Sequence, residues 1–129
     1  RSLRIVRILR ILKFGKYSSA MNRYVVALKS IKNELSVFCI ITFIAFYVSA
    51  VGIYFFERAA QPEVFGSVLD SFWWAIVTLT TVGYGDAFPI TPGGKIFTSF
   101  IVIIGIAVVA VPTGLISSAL TTVVTDTKE

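Results

Sequence analysis

The segment Thr80–Asp86 reads Thr-Thr-Val-Gly-Tyr-Gly-Asp, and its residue types suit the binding of a cation by backbone oxygens. Two glycines alternate with larger residues, and glycine adopts φ > 0 at little cost. Alternating glycine with L-residues of ordinary handedness lets successive carbonyl groups point to the same side of the strand. Four such strands around one axis would stack rings of carbonyl oxygens, with the Thr81 hydroxyl adding a ring at the inner end. The alternative is a glycine-rich turn in a soluble sheet.

The composition is typical of a membrane protein. Of 129 residues, 56% are hydrophobic and 15% charged, which is too apolar for an ordinary soluble domain of this size. The chain lacks histidine and its seven acids are scattered, so we expect neither an enzyme nor a metal-binding constellation of side chains. The single cysteine, Cys39, is interpreted as a packing residue. Because the first residue is Arg1 and no signal-peptide pattern follows, we expect a fragment of a longer chain.

Positive charge is concentrated at the N-terminal end. Nine of the twelve Lys and Arg residues lie in residues 1–32, which contain no acid. Such a bias beside a membrane span favours the cytoplasmic side. A basic amphipathic segment is also a nucleic-acid-binding pattern, but the apolar remainder of the chain argues against a nucleic-acid partner.

Two long runs are free of charge and predict membrane-spanning helices. Residues 35–56 carry no charge across 22 positions, enough to cross a hydrocarbon core of about 30 Å. Residues 96–125 carry none across 30 positions, so their helix should begin near Lys95 and continue past the inner boundary. Two crossings place both termini on the same, cytoplasmic side. Because one chain of this size cannot enclose a pore, we expect an oligomer.

The stretch between the two runs predicts a short helix followed by irregular backbone. Residues 67–80 are too few to span at about 1.5 Å per residue. Ser67 is a suitable cap, and Asp70 lies in the first turn, where a carboxylate complements the helix dipole. The C-terminal end of this helix would leave unsatisfied carbonyls, with partial negative charge, directly before the segment Thr80–Asp86. Non-helical backbone at membrane depth is tolerated only where it is buried in protein or lines a cavity.

These residues resemble a known family. Thr80–Asp86 looks like the signature sequence of potassium channels, and the run Asp-Ser-Phe-Trp-Trp-Ala-Ile-Val-Thr-Leu-Thr-Thr at 70–81 resembles the pore helix of voltage-gated potassium channels. In those channels the carbonyl oxygens of four such segments replace the hydration shell of the ion. The resemblance implies K+ sites at Thr81, Val82, Gly83 and Tyr84, with Gly85 completing the filter.

The resemblance extends over nearly the whole chain and assigns each segment to a family element: 1–13 to the C-terminal part of an S4-like charged helix, 14–32 to the S4–S5 linker, 33–57 to the outer helix S5, 58–66 to the turret, 67–80 to the pore helix, 81–86 to the selectivity filter, 87–94 to the outer loop, 95–125 to the inner helix S6 and 126–129 to a cytoplasmic tail. It implies an all-α membrane protein, with two transmembrane helices and a re-entrant pore helix, assembled as a homotetramer in the lipid bilayer of the cell membrane.

The N-terminal cations recur at every third position and resemble the S4 helix of a voltage sensor: Arg1, Arg4, Arg7, Arg10 and Lys13. Cations on an apolar helix are costly in lipid unless they are paired or hydrated. The helices that would supply countercharges are missing, so the sensor would be a remnant of a longer parent chain. A basic helix on anionic lipid is the alternative. Residues 14–32 are amphipathic from Met21, which fits the linker or a plain interfacial anchor.

Four side chains are expected to support the filter. Trp73 and Trp74 would form an aromatic cuff with indole donors, or else an interfacial belt. Asp86 would accept a hydrogen bond from an indole at the outer mouth. Glu57 stands where the family has an acid that hydrogen-bonds near the pore helix, and a solvated helix-end carboxylate is the alternative. Some bacterial potassium channels carry at the position of Val77 a glutamate that bonds behind the filter, which valine cannot do. If that bond drives filter inactivation in those relatives, this protein should inactivate differently.

Other residues are expected to govern block and gating. Phe88 falls at the family's external tetraethylammonium site, where four rings could hold the cation by cation–π contact, and we expect block at millimolar or lower concentration. Gly105 lies where the family has a gating hinge, although close packing would equally require glycine. Pro112 should kink or loosen the helix. Animal relatives read Pro-Val-Pro where this chain reads Pro112-Thr113-Gly114. Candidates for an apolar constriction are Leu115, Ile116, Leu120 and Val124.

The sequence therefore predicts a potassium-selective pore with passive conduction, K+ as its bound ion and an inner-helix gate, voltage-gated in the full-length parent. Two alternatives remain, a weakly selective cation channel and a non-conducting structural or signalling subunit.

Overall fold

The computed structural model describes residues 19–126, and side chains as far as residue 125. Its helices are α1 (Ser19–Ser30), α2 (Lys32–Glu57), α3 (Val68–Leu79) and α4 (Pro92–Asp126), and the described range contains no strand. The prediction of an all-helical fold is confirmed. The predicted S4-like remnant (1–13), the start of the linker segment and the last three residues of the tail lie outside the described residues.

Helices α2 and α4 are long and apolar enough to cross a membrane, by length and composition. Large apolar side chains such as Phe43, Phe55, Phe100 and Ile103 are exposed along them. A single soluble domain rarely leaves so much apolar surface in water. Such surface suits contact with lipid or with further subunits.

Local capping explains where two helices begin. Ser67 precedes α3 in extended conformation, and its Oγ accepts a hydrogen bond from the Asp70 backbone N–H at 3.0 Å, the usual N-cap arrangement. Helix α4 begins at Pro92, three residues before the predicted start near Lys95. Proline is favoured at the first helical position because it lacks the N–H that would be left unpaired. The Thr91 Oγ accepts from the Gly94 N–H at 2.9 Å and caps this helix.

One compact unit, Ser36–Thr113, contains α3 and the adjoining parts of α2 and α4. Its core joins side chains of all three helices with one from the turret segment: Ala50, Ile53, Phe65, Trp74, Ala75, Leu79 and Ile101. At the edge of this core, two glycines permit close packing between α2 and α4. The Phe97 ring occupies the space that a Cβ at Gly52 would need, and the Phe56 ring lies 2.8 Å from a Cβ built at Gly93. Helix α3 is therefore packed against α2, α4 and the turret segment.

The second unit combines the described residues up to Leu35 with those from Gly114 onward. Within it, α1 and the end of α4 line one cavity of about 260 Å³, formed by Ala20, Arg23, Tyr24, Leu120 and Val124. Two of the candidate constriction residues thus lie beside the predicted linker helix.

Candidate ion-conduction site

The filter segment has an alternating backbone. Positive φ values occur at Thr81 (62°), Gly83 (61°) and Gly85 (79°), and not at Val82 or Tyr84. A Cβ built on either glycine meets nothing within 4 Å in the subunit. The backbone conformation, and not lack of space within the subunit, is therefore what favours glycine there. This alternation of handedness is the condition under which successive carbonyls can share one side.

The left-handed conformation of Thr81 was not foreseen from the sequence. A β-branched residue is unfavourable there, at about 1–2 kcal/mol, and such strain persists only where surrounding structure imposes it. The end of α3 supplies that constraint. The Thr81 N–H donates to the Thr78 carbonyl at 3.0 Å, and the Val77 carbonyl accepts from Val82 at 3.0 Å and Gly83 at 3.1 Å. No residue type in the segment signals this, because threonine has no preference for positive φ.

The predicted filter segment is exposed in the single subunit. Residues 81–86 are all exposed, with Val82 at 53% and Tyr84 at 69% of their possible exposure. The opposite side of α3 is closed, since Trp74, Ala75 and Leu79 are buried. The filter segment therefore has the buried core on one side and an exposed surface on the other.

The two tryptophans have different roles in the subunit. Trp73 donates from its indole Nε1 to Asp86 Oδ2 at 2.7 Å, and its ring stacks on Tyr84 with centroids 5.9 Å apart. Trp74 instead belongs to the core, edge-on to Phe65 at 6.2 Å. The structure therefore brings Trp73 and Asp86 to the filter and places Trp74 against the turret.

The Glu57 carboxylate is completely buried, so the solvated-carboxylate alternative is wrong. It accepts four hydrogen bonds: from Gln61 Nε2 (2.8 Å), the Ile90 N–H (3.2 Å), the Thr91 N–H (3.0 Å) and the Thr91 hydroxyl (2.7 Å). Its partners lie in the turret and the outer loop, and not on the pore helix. A buried carboxylate requires such donors, because leaving it unpaired would be very costly.

Sequence reasoning missed Gln61 and Thr91. Thr91 donates its hydroxyl to Glu57 and accepts from the Gly94 N–H, so it joins the end of α2 to the start of α4. A Cβ at Gly94 would overlap the Glu57 carboxylate. The one available signal was Thr91 directly before Pro92, which is a pattern for the start of a helix.

The gating candidates lie on α4. Gly105 is buried, and a Cβ built there would lie 3.0 Å from the carbonyl oxygen and 3.1 Å from the Cα of Leu79. A side chain here would press on the Leu79 backbone more closely than Cβ atoms normally do, so close packing against the end of α3 favours glycine at this position. Pro112 lies within α4, which continues through it, and a Cβ at Gly114 would meet nothing within 4 Å. The ring of Phe88 is 57% exposed.

Comparison with known proteins shows similarity to ion-transport proteins. The family model described as ion transport protein matches residues 1–128. A protein of Rhodopseudomonas palustris, provisionally named a potassium channel protein, is 41% identical over 124 residues, which is 96% of this chain and 30% of that protein. The human voltage-gated potassium channel regulatory subunit KCNF1 is 39% identical over 112 residues, 86% of this chain and 22% of that protein.

Human potassium voltage-gated channel subfamily A member 6 is 41% identical over 91 residues, covering 70% of this chain and 17% of that protein. The chain thus spans a third or less of the length of these relatives. The family-model match includes all of the residues that the structure describes. Because the family model matches almost the whole chain, this chain belongs to the ion transport protein family.

Proposed function

We propose that the chain forms the pore of a potassium-selective channel, which conducts K+ passively through a backbone-lined filter. The observation that carries this proposal is the alternating backbone at Thr81, Gly83 and Gly85, set at the C-terminal end of a short helix that is buried behind it. The names of the relatives agree with potassium as the ion. K+ would occupy rings of oxygens from Thr81, Val82, Gly83 and Tyr84 in single file.

A homotetramer is the assembly that this geometry favours. One subunit contributes one filter strand, whereas a ring of carbonyl oxygens needs several strands around an axis. The side of α3 next to the filter is free to meet another copy, since Leu69 is 82% and Trp73 49% exposed. Both termini would lie on the cytoplasmic side of the cell membrane.

Electrostatics supports cation entry from the inner side. Helix α3 ends at Leu79, directly before the filter, and the C-terminal end of a helix carries partial negative charge. Four such ends around the axis would favour a cation at the inner mouth. Gating would come from movement of α4 beyond Gly105, near Pro112 and Gly114. In a longer parent chain, the cations of residues 1–13 would couple this movement to voltage.

The test is the reversal potential of the protein in a planar bilayer with K+ on one side and Na+ on the other. We expect a value near the potassium equilibrium potential. Gly83→Ala should abolish selective current, because alanine is strained at φ 61°. Gly114→Ala adds the same methyl group outside the filter, where its Cβ meets open space; as a gating candidate it can alter channel opening, but it should leave the reversal potential unchanged. A reversal potential near zero with measurable current would refute potassium selectivity.

A second candidate function is that of a modulatory subunit, favoured by the similarity to a protein named as a regulatory subunit. Such a subunit would carry no current alone and would alter the current of a co-expressed channel. Its stability as an oligomer would not depend on K+. Replacing K+ by Na+ during thermal dissociation of the purified oligomer separates the two functions, because only a K+-filled filter gains stability from the ion.

A further inference from the structure

The turret residue Gln61 has a fixed backbone. Its N–H donates to the Glu57 carbonyl at 2.8 Å, and its own carbonyl accepts from the Phe65 N–H at 2.9 Å. Phe65 is completely buried in the core of its unit. Hydrogen bonds therefore hold the turret backbone at both the N–H and the carbonyl group of Gln61, and they fix the position of its Cα.

The Gln61 amide uses both of its hydrogens. Nε2 donates to Glu57 Oε2 at 2.8 Å and to the Phe88 carbonyl at 3.0 Å. Both partners are acceptors only, so the nitrogen and not the oxygen of the amide must face them. Within residues 19–126, this is the one hydrogen bond made by Phe88.

The segment after the filter is consequently held at successive points. Asp86 is held by Trp73, and Thr91 is held by Glu57. Phe88 lies between these points and next to Ala87, which packs against the core. In the described part of the chain, the one hydrogen bond to the Phe88 backbone comes from Gln61. Phe88 is 57% exposed, so it is not held in a buried pocket of the subunit.

We infer that Gln61 is a positioning residue of the outer mouth, which ties the backbone of Phe88 to the end of α2 and thereby places the Phe88 ring at the entrance. The inference rests on the proposed function. The affinity for an external quaternary ammonium ion then depends on an amide in the turret that does not touch the ion, because cation–π attraction needs the cation within about 6 Å of the ring centre.

The experiment measures external tetraethylammonium block of the full-length protein in planar bilayers. Gln61→Met keeps the length of the side chain and removes both donors. We expect the dissociation constant for block to rise roughly three- to tenfold, the effect of one lost hydrogen bond on an equilibrium. The reversal potential should not change. Ala60→Met introduces the same residue at an exposed turret position and should leave block unchanged.

A double-mutant cycle separates positioning from general loosening. In a Phe88→Val background, Gln61→Met should have no further effect on block, because the ring through which it acts is gone. Unchanged block in Gln61→Met, or equal weakening with and without Phe88, would overturn the inference. If Gln61→Met subunits do not assemble alone, a covalently linked pair of one wild-type and one variant subunit can be used. Its tetramer carries two substitutions in place of four, so the fold-change in the dissociation constant should be about the square root of the full effect.

Hydrogen–deuterium exchange tests the same contact without conduction. The peptide covering residues 86–91 should exchange faster in Gln61→Met than in Ala60→Met, and equal rates would refute the positioning role. If the wild-type protein shows no potassium-selective current while this exchange difference is present, the proposed function fails and the positioning role stands.

Discussion

Replacing Glu57 by glutamine should loosen the outer loop. The substitution keeps the length of the side chain and turns one acceptor oxygen into an NH2 donor. Four donors converge on the buried carboxylate, two from Thr91 on Oε1 and one each from Gln61 and Ile90 on Oε2. If the new amide oxygen faces Thr91, its NH2 group faces two donors.

The structure also limits how far the site can relax. The Gln61 amide could rotate and present its oxygen to the new NH2 group, but it would then lose its hydrogen bond to the Phe88 carbonyl. The Ile90 N–H would still lack an acceptor. Hydrogen bonds to charged groups contribute about 1.5–3 kcal/mol each. With two of them lost, we expect Glu57→Gln to reduce stability by about 3 kcal/mol or more per subunit.

The assay is thermal dissociation of the purified oligomer in K+, together with the decay of current during a long depolarisation. Glu57→Gln should lower the dissociation midpoint and speed the decay, since the loop beside the filter is less restrained. The matched control is Glu63→Gln, which makes the same chemical change at an exposed turret residue. An unchanged midpoint and decay rate in Glu57→Gln would refute this account of the buried carboxylate.

Further substitutions test the rest of the site. Gly105→Ala should lower the free energy of unfolding by about 1–3 kcal/mol, because the added methyl group overpacks against the Leu79 backbone, which cannot easily move. Gly114→Ala should instead stabilise α4 by up to about 1 kcal/mol. Equal melting temperatures of the two variants would contradict this. Trp73→Phe keeps an aromatic ring but loses the 2.7 Å hydrogen bond to Asp86, so current should decay several-fold faster than in Asp86→Asn, which retains an acceptor oxygen; the reverse order would argue against the bond. Phe88→Val should weaken external tetraethylammonium block at least tenfold, at about 0.5–1 kcal/mol from each of four rings, and unchanged block would exclude this ring as the site.

Much of the fold could be predicted because it depends on local pattern. Charge-free runs of 22 and 30 residues are long enough to require helices in an apolar environment, and α2 and α4 contain them. The cap at Ser67 followed from side-chain chemistry within one turn. Helix α4 begins three residues before the predicted start near Lys95, because Pro92, Gly93 and Gly94, which favour a loop, instead form the first turn behind the Thr91 cap.

The site was predictable where its residues are close in sequence. The alternation of glycines in the filter segment pointed to alternating backbone, and the structure has positive φ at both glycines. Adjacent Trp73 and Trp74 were assigned one role, yet they lie on different sides of α3, since successive residues on a helix are about 100° apart. Only the packing of the turret against α3 shows which one meets the filter.

The sequence by itself determined the helices, their apolar surfaces and the residue types of the filter, since these depend on contacts within a few positions along the chain. The tertiary structure alone decided the environment of Glu57, which bonds to Thr91 across 34 positions, and the bond from Gln61 to Phe88 across 27. It also decided that Gly105 packs against Leu79. Those features arise where separate segments are brought together and share buried donors and space, and no local preference of the residues involved specifies them.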